Sequence, residues 1–503
     1  EMGLGKTVSA LALARQYIEE WPVLVVAPAP LCSVWREHAL SWLGSDLLPE
    51  HVAVVRSARE LPPPSTRLLI VSYNLIAEPK FQTKLDGSGD YQVVILDECH
   101  VLRGGASRRA RAAVPLARRA RRALLLSGTP LVSTAEDAYP LLDALLPAGD
   151  LPTSADFATR YRQVVGGQSS TAPASSSSCS RPRATRVKAV RYIAELHLVL
   201  GSVMLRRLKA DLLPQLPAKR RQRVLLEPAE GKGGGHLPES DLTLLENNVC
   251  KARDAELERA CEELAPAKVS AMKDYMHCLL EAGVKFLLFA HHLRVLDELE
   301  SILKARASEY VRIDGGTALA ERSEAVARCL RVALLSLGAC SQGLTLSAAA
   351  LVVFAELFWV PGVLLQAEDR AHRLGQACSV NIHYLVLRGS IDERMFRAVE
   401  RRAADNASVL DGEACAAPAA AGQGFQAEIS TPASALKGVV SVSEAPAPKR
   451  ARVQGGVPGP CATLDSDSDS MELVSCSAGS KSLAAAWGIT AAGRGNAQGG
   501  GAG

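Results

Sequence analysis

Nine short runs that are apolar on both faces punctuate the sequence, and they constrain its fold more than any other feature. Four fall in the first third: VLVVAP (Val23–Pro28), RLLIVSY (Arg67–Tyr73), YQVVILDE (Tyr91–Glu98) and ALLLSGTP (Ala123–Pro130). Five follow between Lys285 and Leu387: KFLLFAHH, YVRID, RVALLS, ALVVFAE and VNIHYLVL. A strand with one wet face alternates polar and apolar residues, whereas these do not, so helices must cover both faces of each sheet, as in parallel αβ structure. Two such series predict two αβ lobes in tandem, with ligands at the carboxyl ends of the strands and in the cleft between lobes. The long uncharged stretch Val332–Ala355 is broken by Ser, Gln, Gly and Thr. It reads as two buried strands and a loop rather than a membrane span.

The 503 residues are 48% hydrophobic and 22% charged, which excludes wholesale disorder, collagen and coiled coil. A formal charge of only +4 means that a polyanion must be met by local patches. With 4% aromatic residues, a surface built mainly of base-stacking platforms is not expected. The twelve cysteines include no CxxC pair, so no zinc ribbon is expected, and scattered thiols suit a reducing compartment. Residues Gly166–Thr185 (GGQSSTAPASSSSCSRPRAT) have the composition of a solvated insertion, and a second Gly-rich break lies at Gly231–Gly235. Helical patterns flank both, at Arg191–Lys209 and Leu242–Leu264. After Ala404 the apolar periodicity dissolves into Ala, Gly, Ser and Pro, and a disordered tail is expected. Within it, PKRARV (Pro448–Val453) reads as a nuclear import signal or a chance basic spot. DSDSDSMELV (Asp465–Val474) reads as a phosphoacceptor tract or a solubilising one. The expected division is a first lobe over 1–160, an insertion with a helical linker or protrusion over 161–264, a second lobe over 265–404 and a tail over 405–503.

Three strand ends carry chemistry. EMGLGKT places GKT directly before a helical stretch. In a phosphate loop, backbone N–H groups and the positive helix end hold phosphate, Lys6 reaches the β and γ phosphates, and the Thr7 hydroxyl binds magnesium. The first residue of a full GxxxxGKT would precede Glu1, so the strand before the loop is expected to be missing from an incomplete chain. Asp97 and Glu98 end a buried strand, where the first can hold magnesium and the second can orient and deprotonate water. SGTP follows at the next strand end. In the second series QAEDRAHRLGQ (Gln366–Gln376) sets Arg370 and Arg373 three apart. Arginines aimed at a γ phosphate contribute roughly 10³–10⁵ in rate.

Taken in order, EMGLGKT, VVAPAPLCSVW, DECH, LSGTP, MLRRLK, the GLT after Ser336, and QAEDRAHRLGQ resemble the motor of SWI/SNF-type ATPases in helicase superfamily two. KFLLFAHH, RIDG, VVFAELFW and VNIHYLV bring the chain nearest the annealing-helicase, or fork-remodelling, branch. The resemblance implies two tandem RecA-like lobes, ATP and Mg²⁺ as nucleotide and cofactor, and translocation along duplex or branched DNA in the nucleus. It implies replication or repair proteins as further partners, bound through the tail or a missing N-terminus, and neither membrane nor zinc. It makes Gly3, Gly5, Lys6 and Thr7 the phosphate loop, Asp97 and Glu98 the magnesium and water residues, and Ser127, Gly128 and Thr129 a coupling element. Gly343, Gln366, Arg370 and Arg373 complete the site from the second lobe. Pro28, Ser33, Ser72, Tyr73, Ser336 and Thr345 match DNA-backbone positions, whose neutral contacts to phosphate position a motor without reading bases.

Departures from the family pattern are Cys99, the RGG at Arg103–Gly105, Ser341 and Val360, which together predict a reduced turnover. Arg103–Arg122 contains eight arginines and no acid. It reads as a duplex contact through Arg108 and Arg109 or as the solvated face of a helix. LRRLK (Leu205–Lys209) and KRRQR (Lys219–Arg223) read likewise. His291 and His292 are expected to be packed or cleft-lining rather than metal ligands. A rival to the enzyme is a non-catalytic scaffold, an incomplete motor with a partner-binding tail.

Overall fold

The computed structural model describes residues 1–60, 62–87, 91–105, 107–165, 186–228, 254–318, 321, 331–340, 346, 349–412 and 427–429. Two all-parallel sheets dominate it. The first has strand order β2 (Val52–Val54), β3 (Leu68–Ser72), β1 (Val23–Ala27), β4 (Val93–Leu96) and β5 (Arg122–Leu125). Four of these are the apolar runs; β2 is a three-residue strand too short to carry a pattern. Period-2 alternation sends Leu24, Val26, Val94 and Leu96 to one face, against the alanines of helix Arg108–Arg119. Val23, Val25, Val93 and Ile95 go to the other, against helices Lys6–Gln16 and Cys32–Leu43. Because Ala27 pairs with Ser72 and Val26 with Leu96, Pro28, Tyr73 and Asp97 leave the sheet along one edge. At the end of the sheet, β5 is only half-buried along its length.

The second sheet has order β10 (Tyr310–Ile313), β11 (Val332–Ser336), β9 (Phe286–Ala290), β12 (Leu351–Phe354), β13 (Val380–Leu387), β8 (Lys219–Leu226) and β14 (Ala427–Ile429). The five expected runs are β9 to β13. Strand β8 is a correction: KRRQR, expected as a duplex contact or a solvated helix face, opens a strand that pairs along the whole of β13. Arg221 points inward at 4% exposure. Helix Asp254–Glu281 crosses the expected 264/265 boundary and buries Met272, Tyr275, Met276 and Leu279 in the core of this lobe.

A smaller core ties the lobes together. Leu131, Leu142 and Phe157 of the first lobe meet Leu196, Val199 and Leu200 of helix Ile193–Val203 and Val409 and Leu410 of helix Ile391–Asp411. That last helix runs past residue 404, and its end is fixed by Arg206 to Asp411 at 2.7 Å and by His197 Nδ1 to Val409 O at 3.1 Å. Strands β6 (Arg162–Val165) and β7 (Arg186–Val190) pair antiparallel on either side of the Ser-rich segment. That segment, the break at 231–235, residues 242–253 of the expected helix, Ser341, Gly343, Thr345, and the tail apart from residues 405–412 and 427–429 lie outside the described residues. Among the described residues no helix is long and apolar enough to cross a membrane.

Candidate nucleotide site

Residues 1–5 form a loop ending at Gly5, which caps helix Lys6–Gln16 with a left-handed φ of 73°. Gly3 is also left-handed (φ 79°), and a Cβ there would lie 3.7 Å from Arg373 Cγ of the other lobe. The helix end presents unpaired N–H groups and the positive pole of its dipole, an arrangement made for anions. Lys6 Nζ donates to Glu1 O at 2.9 Å. Burial lowers its pKa, opposed by the charges of Glu98 and Asp97, so lysine and acids share one electrostatic site. Thr7 is half-buried beside it.

Asp97 is 6% exposed. Its Oδ2 accepts from Trp35 Nε1 at 2.8 Å and its Oδ1 from the Glu98 N–H at 2.9 Å. Burial, reinforced by the Glu98 charge, pushes its pKa up to about 6. Glu98 adopts φ 48°, ψ 47°, a left-handed conformation costing a non-glycine residue about 1–2 kcal/mol. The chain must turn there, because the next N–H, of Cys99, bonds back to Leu126 O at 2.9 Å. Burial pushes the Glu98 carboxyl up, but His100, Lys6 and Arg370 outweigh it and hold the group below its usual range.

His100 links both lobes. Its Nδ1 lies 3.2 Å from Glu98 Oε2 and 3.3 Å from Ser127 Oγ. Its Nε2 lies 3.4 Å from Gln366 Nε2, which also donates to Thr129 Oγ1 at 2.9 Å. With the amide in this orientation, a neutral imidazole would accept at Nε2 and turn its Nδ1 proton toward Glu98 and Ser127. Ser127 Oγ accepts from the Thr129 N–H at 3.1 Å. A Cβ on Gly128 would fall 2.2 Å from Met2 Cγ, so glycine lets the Ser127–Thr129 loop lie against the loop before Lys6.

From the second lobe, helix Pro361–Ala371 delivers Gln366 (4% exposed) and Arg370 (3% exposed). Arg373 follows in the turn, its Nε donating to Asp369 O at 3.2 Å. Burial lowers the Arg373 pKa, while Asp369 and Glu98 raise it. Both arginines therefore lie within electrostatic reach of the first-lobe acids. Gly362 seats this helix on the first lobe, with its N–H 3.4 Å from Val132 O.

The expected DNA positions divide. Pro28 and Ser33 are partly exposed after β1, and Ser72 Oγ is used as a cap for Leu75 N at 3.2 Å. Tyr73 is a correction: its ring is buried and its hydroxyl donates to Asp97 O at 2.8 Å, so it braces the acidic turn from beneath. Ser336 is likewise buried at the end of β11, at 8% exposure. Arg108 and Arg109 are exposed at the start of their helix, Arg109 Nε donating to Asn74 Oδ1 at 3.0 Å. Further along the stripe, Arg118 pairs with Asp143 at 3.3 Å, and Arg121 and Arg122 pair with Glu20 at 3.4 and 3.2 Å. Lys209 of LRRLK is buried, not exposed. His292 Nδ1 meets Glu356 Oε1 at 2.7 Å and His291 packs on Phe358 and Trp359, a packed pair. Sequence reading assigned no role to Trp35 or His100; each sits inside a quoted motif, and that placement was the available signal.

Two parallel αβ lobes, with a lysine at a helix start and paired acids on one and two arginines facing them from the other, define a helicase-type motor of RecA-like lobes. The chain matches the SNF2-related domain over residues 1–233 and the helicase conserved C-terminal domain over residues 267–375. It belongs to the SNF2-related family of helicase-type motors. It is 37% identical over 426 residues to the mouse DNA annealing helicase and endonuclease ZRANB3, covering 82% of this chain and 39% of that protein. It is 38% identical over 413 residues to the Xenopus tropicalis SWI/SNF-related matrix-associated actin-dependent regulator of chromatin subfamily A-like protein 1, covering 80% and 42%. The chain thus spans about two-fifths of the length of these relatives. Among solved structures it is similar to the Sulfolobus solfataricus SWI2/SNF2 ATPase core in complex with dsDNA, with 18% identity, a TM-score of 0.35, and 82% and 88% of the two chains covered.

Proposed function

We propose that the chain is the motor of a nuclear ATP-dependent translocase that moves on duplex DNA and remodels or re-anneals forked DNA. The observation that carries this reading is the bond from Gln366 to Thr129, with His100 beside it. It joins the arginine helix of one lobe to Thr129 of the other, beside the His100 that approaches Glu98, a contact through which hydrolysis and lobe closure would depend on each other. The likeness to an annealing helicase supports the choice of forked DNA.

In this reading the helix N-terminus and Lys6 take the phosphates, with Gly3 and Gly5 supplying the torsions the loop needs. Glu98 orients the attacking water and accepts its proton, its carboxylate kept ionised by His100, Lys6 and Arg370. Arg370 and Arg373 stabilise charge on the γ phosphoryl group as it leaves. Thr7 and Asp97 fit magnesium: a hydroxyl at the helix start and a buried carboxyl beside a second acid, the oxygen donors that a hard cation takes. Magnesium bound there would neutralise charge between the β and γ phosphates. Pro28, Ser33, Ser72, Arg108 and Arg109 form the partly or fully exposed DNA-facing set. ATP turnover by the full-length protein should rise more with forked or duplex DNA than with single-stranded RNA of equal length. A stronger response to RNA would overturn the DNA reading.

A further inference from the structure

The carboxyl end of the arginine helix is gripped by a buried ionic network that the nucleotide chemistry does not use. Glu368 is fully buried, takes Arg221 at 2.6 and 2.7 Å, and accepts from the Tyr384 hydroxyl at 2.5 Å. Its neighbour Asp369 takes both Lys219 and Lys209 at 3.1 Å. Lys209 Nζ also donates to His372 O at 2.9 Å, and its backbone N–H donates to Glu1 Oε2 at 2.7 Å. Lys209 is 7% exposed and stands on the segment connecting the lobes. One ammonium therefore touches the residue before each arginine, Asp369 before Arg370 and His372 before Arg373. Its backbone meanwhile holds Glu1, in the loop that leads through Gly3 and Gly5 to Lys6.

Buried ion networks are weak sources of stability, since desolvating each ion costs several kcal/mol and well-packed apolar replacements are often as stable. They do fix one arrangement of the groups they hold. Here that arrangement is of two arginines against a phosphate loop, and a misplacement of about 1 Å in such groups costs about 10²-fold in rate.

We propose that Lys209 is a positioning residue for hydrolysis, which aligns Arg370 and Arg373 with the phosphate loop and makes that alignment answer to the connector between the lobes. The proposal rests on the reading of both arginines as γ-phosphate residues.

The test is steady-state ATP turnover by the full-length protein at saturating duplex DNA, with a non-hydrolysable ATP analogue titrated in parallel. Lys209→Met keeps length and removes charge, and Asp369 retains Lys219, so no carboxylate is orphaned. Lys209→Met should lower kcat about 10–100-fold, with KM for ATP, analogue affinity and thermal midpoint close to wild type. Lys209→Arg should recover part of the rate. Asp369→Asn should resemble Lys209→Met, and the double variant should be no slower than the slower single one. Wild-type kcat in Lys209→Met, equal loss of kcat and analogue affinity, or a Lys209→Arg enzyme as slow as the Met variant would each overturn the proposal. Turnover by the wild type that vanishes in Glu98→Gln secures the underlying reading in the same assay, and its absence overturns both.

Discussion

Asp97→Asn should change stability in a way that depends on pH, and the size of the change follows from the site. A carboxyl whose folded pKa lies above its unfolded value disfavours folding as pH rises through that interval. Asp97 moves from about 3.9 unfolded to about 6 folded because it is buried beside Glu98. At about 1.36 kcal/mol per pKa unit, ionised Asp97 costs about 3 kcal/mol at pH 8, but only about 1.5 kcal/mol at pH 5, where the folded form keeps its proton. Asparagine has one acceptor oxygen for the two donors, Trp35 Nε1 and Glu98 N–H, and orphaning one costs about 1–3 kcal/mol at every pH. That constant cancels between pH values. Glu98, held below its usual range, stays ionised throughout this window. Urea unfolding of the metal-free protein, followed by tryptophan fluorescence, should therefore shift in favour of the asparagine variant by about 1.4 kcal/mol between pH 5 and pH 8. An unchanged difference, or a shift toward wild type, would refute the claim that burial beside the Glu98 charge raises the Asp97 pKa.

Two further changes separate surface from support. Tyr73→Phe removes only the hydroxyl bond to Asp97 O and should cost about 1 kcal/mol of stability. The salt dependence of DNA binding should be unaltered by it; a changed salt slope would return Tyr73 to the DNA surface. Replacing both Arg108 and Arg109 by alanine should flatten the plot of log affinity against log salt by up to about 2, at roughly 0.9 per lost phosphate contact, in a DNA titration across ionic strength. An unchanged slope would leave these arginines as a solvated helix face.

Much of the fold was legible because a strand buried on both faces can hardly be written in other residues: each of the nine apolar runs is a strand, and only β5 and β10, at sheet ends, are half-buried. Strand β8 was not legible, because KRRQR carries the signature of a wet surface. What reverses it is a carboxylate nearly 150 positions away, Glu368, which only the folded chain brings to Arg221. Strands β2 and β14, of three residues each, hold too little pattern to read. In the candidate site, Lys6, Asp97 and Glu98 stand out in the sequence as loop and strand-end chemistry and Arg370 and Arg373 by their spacing, whereas Gln366 enters only through the family resemblance. Tyr73 misled because a tyrosine at a strand end can turn outward or fold under the next strand, and period-2 alternation does not reach beyond the last paired residue. Lys209 looked like a surface cation until the helix bearing Asp369 closed over it.

The central claim is that one hydrolytic site is shared between the lobes. The most direct test is single-turnover ATP hydrolysis with duplex DNA for Glu98→Gln, Arg373→Ala and the double variant, each loaded with saturating nucleotide. Groups that act as a unit are not additive, so each single change should slow hydrolysis by about 10³-fold or more, with the double variant close to the slower single one. Wild-type hydrolysis in Arg373→Ala, or multiplicative losses in the double variant, would contradict it.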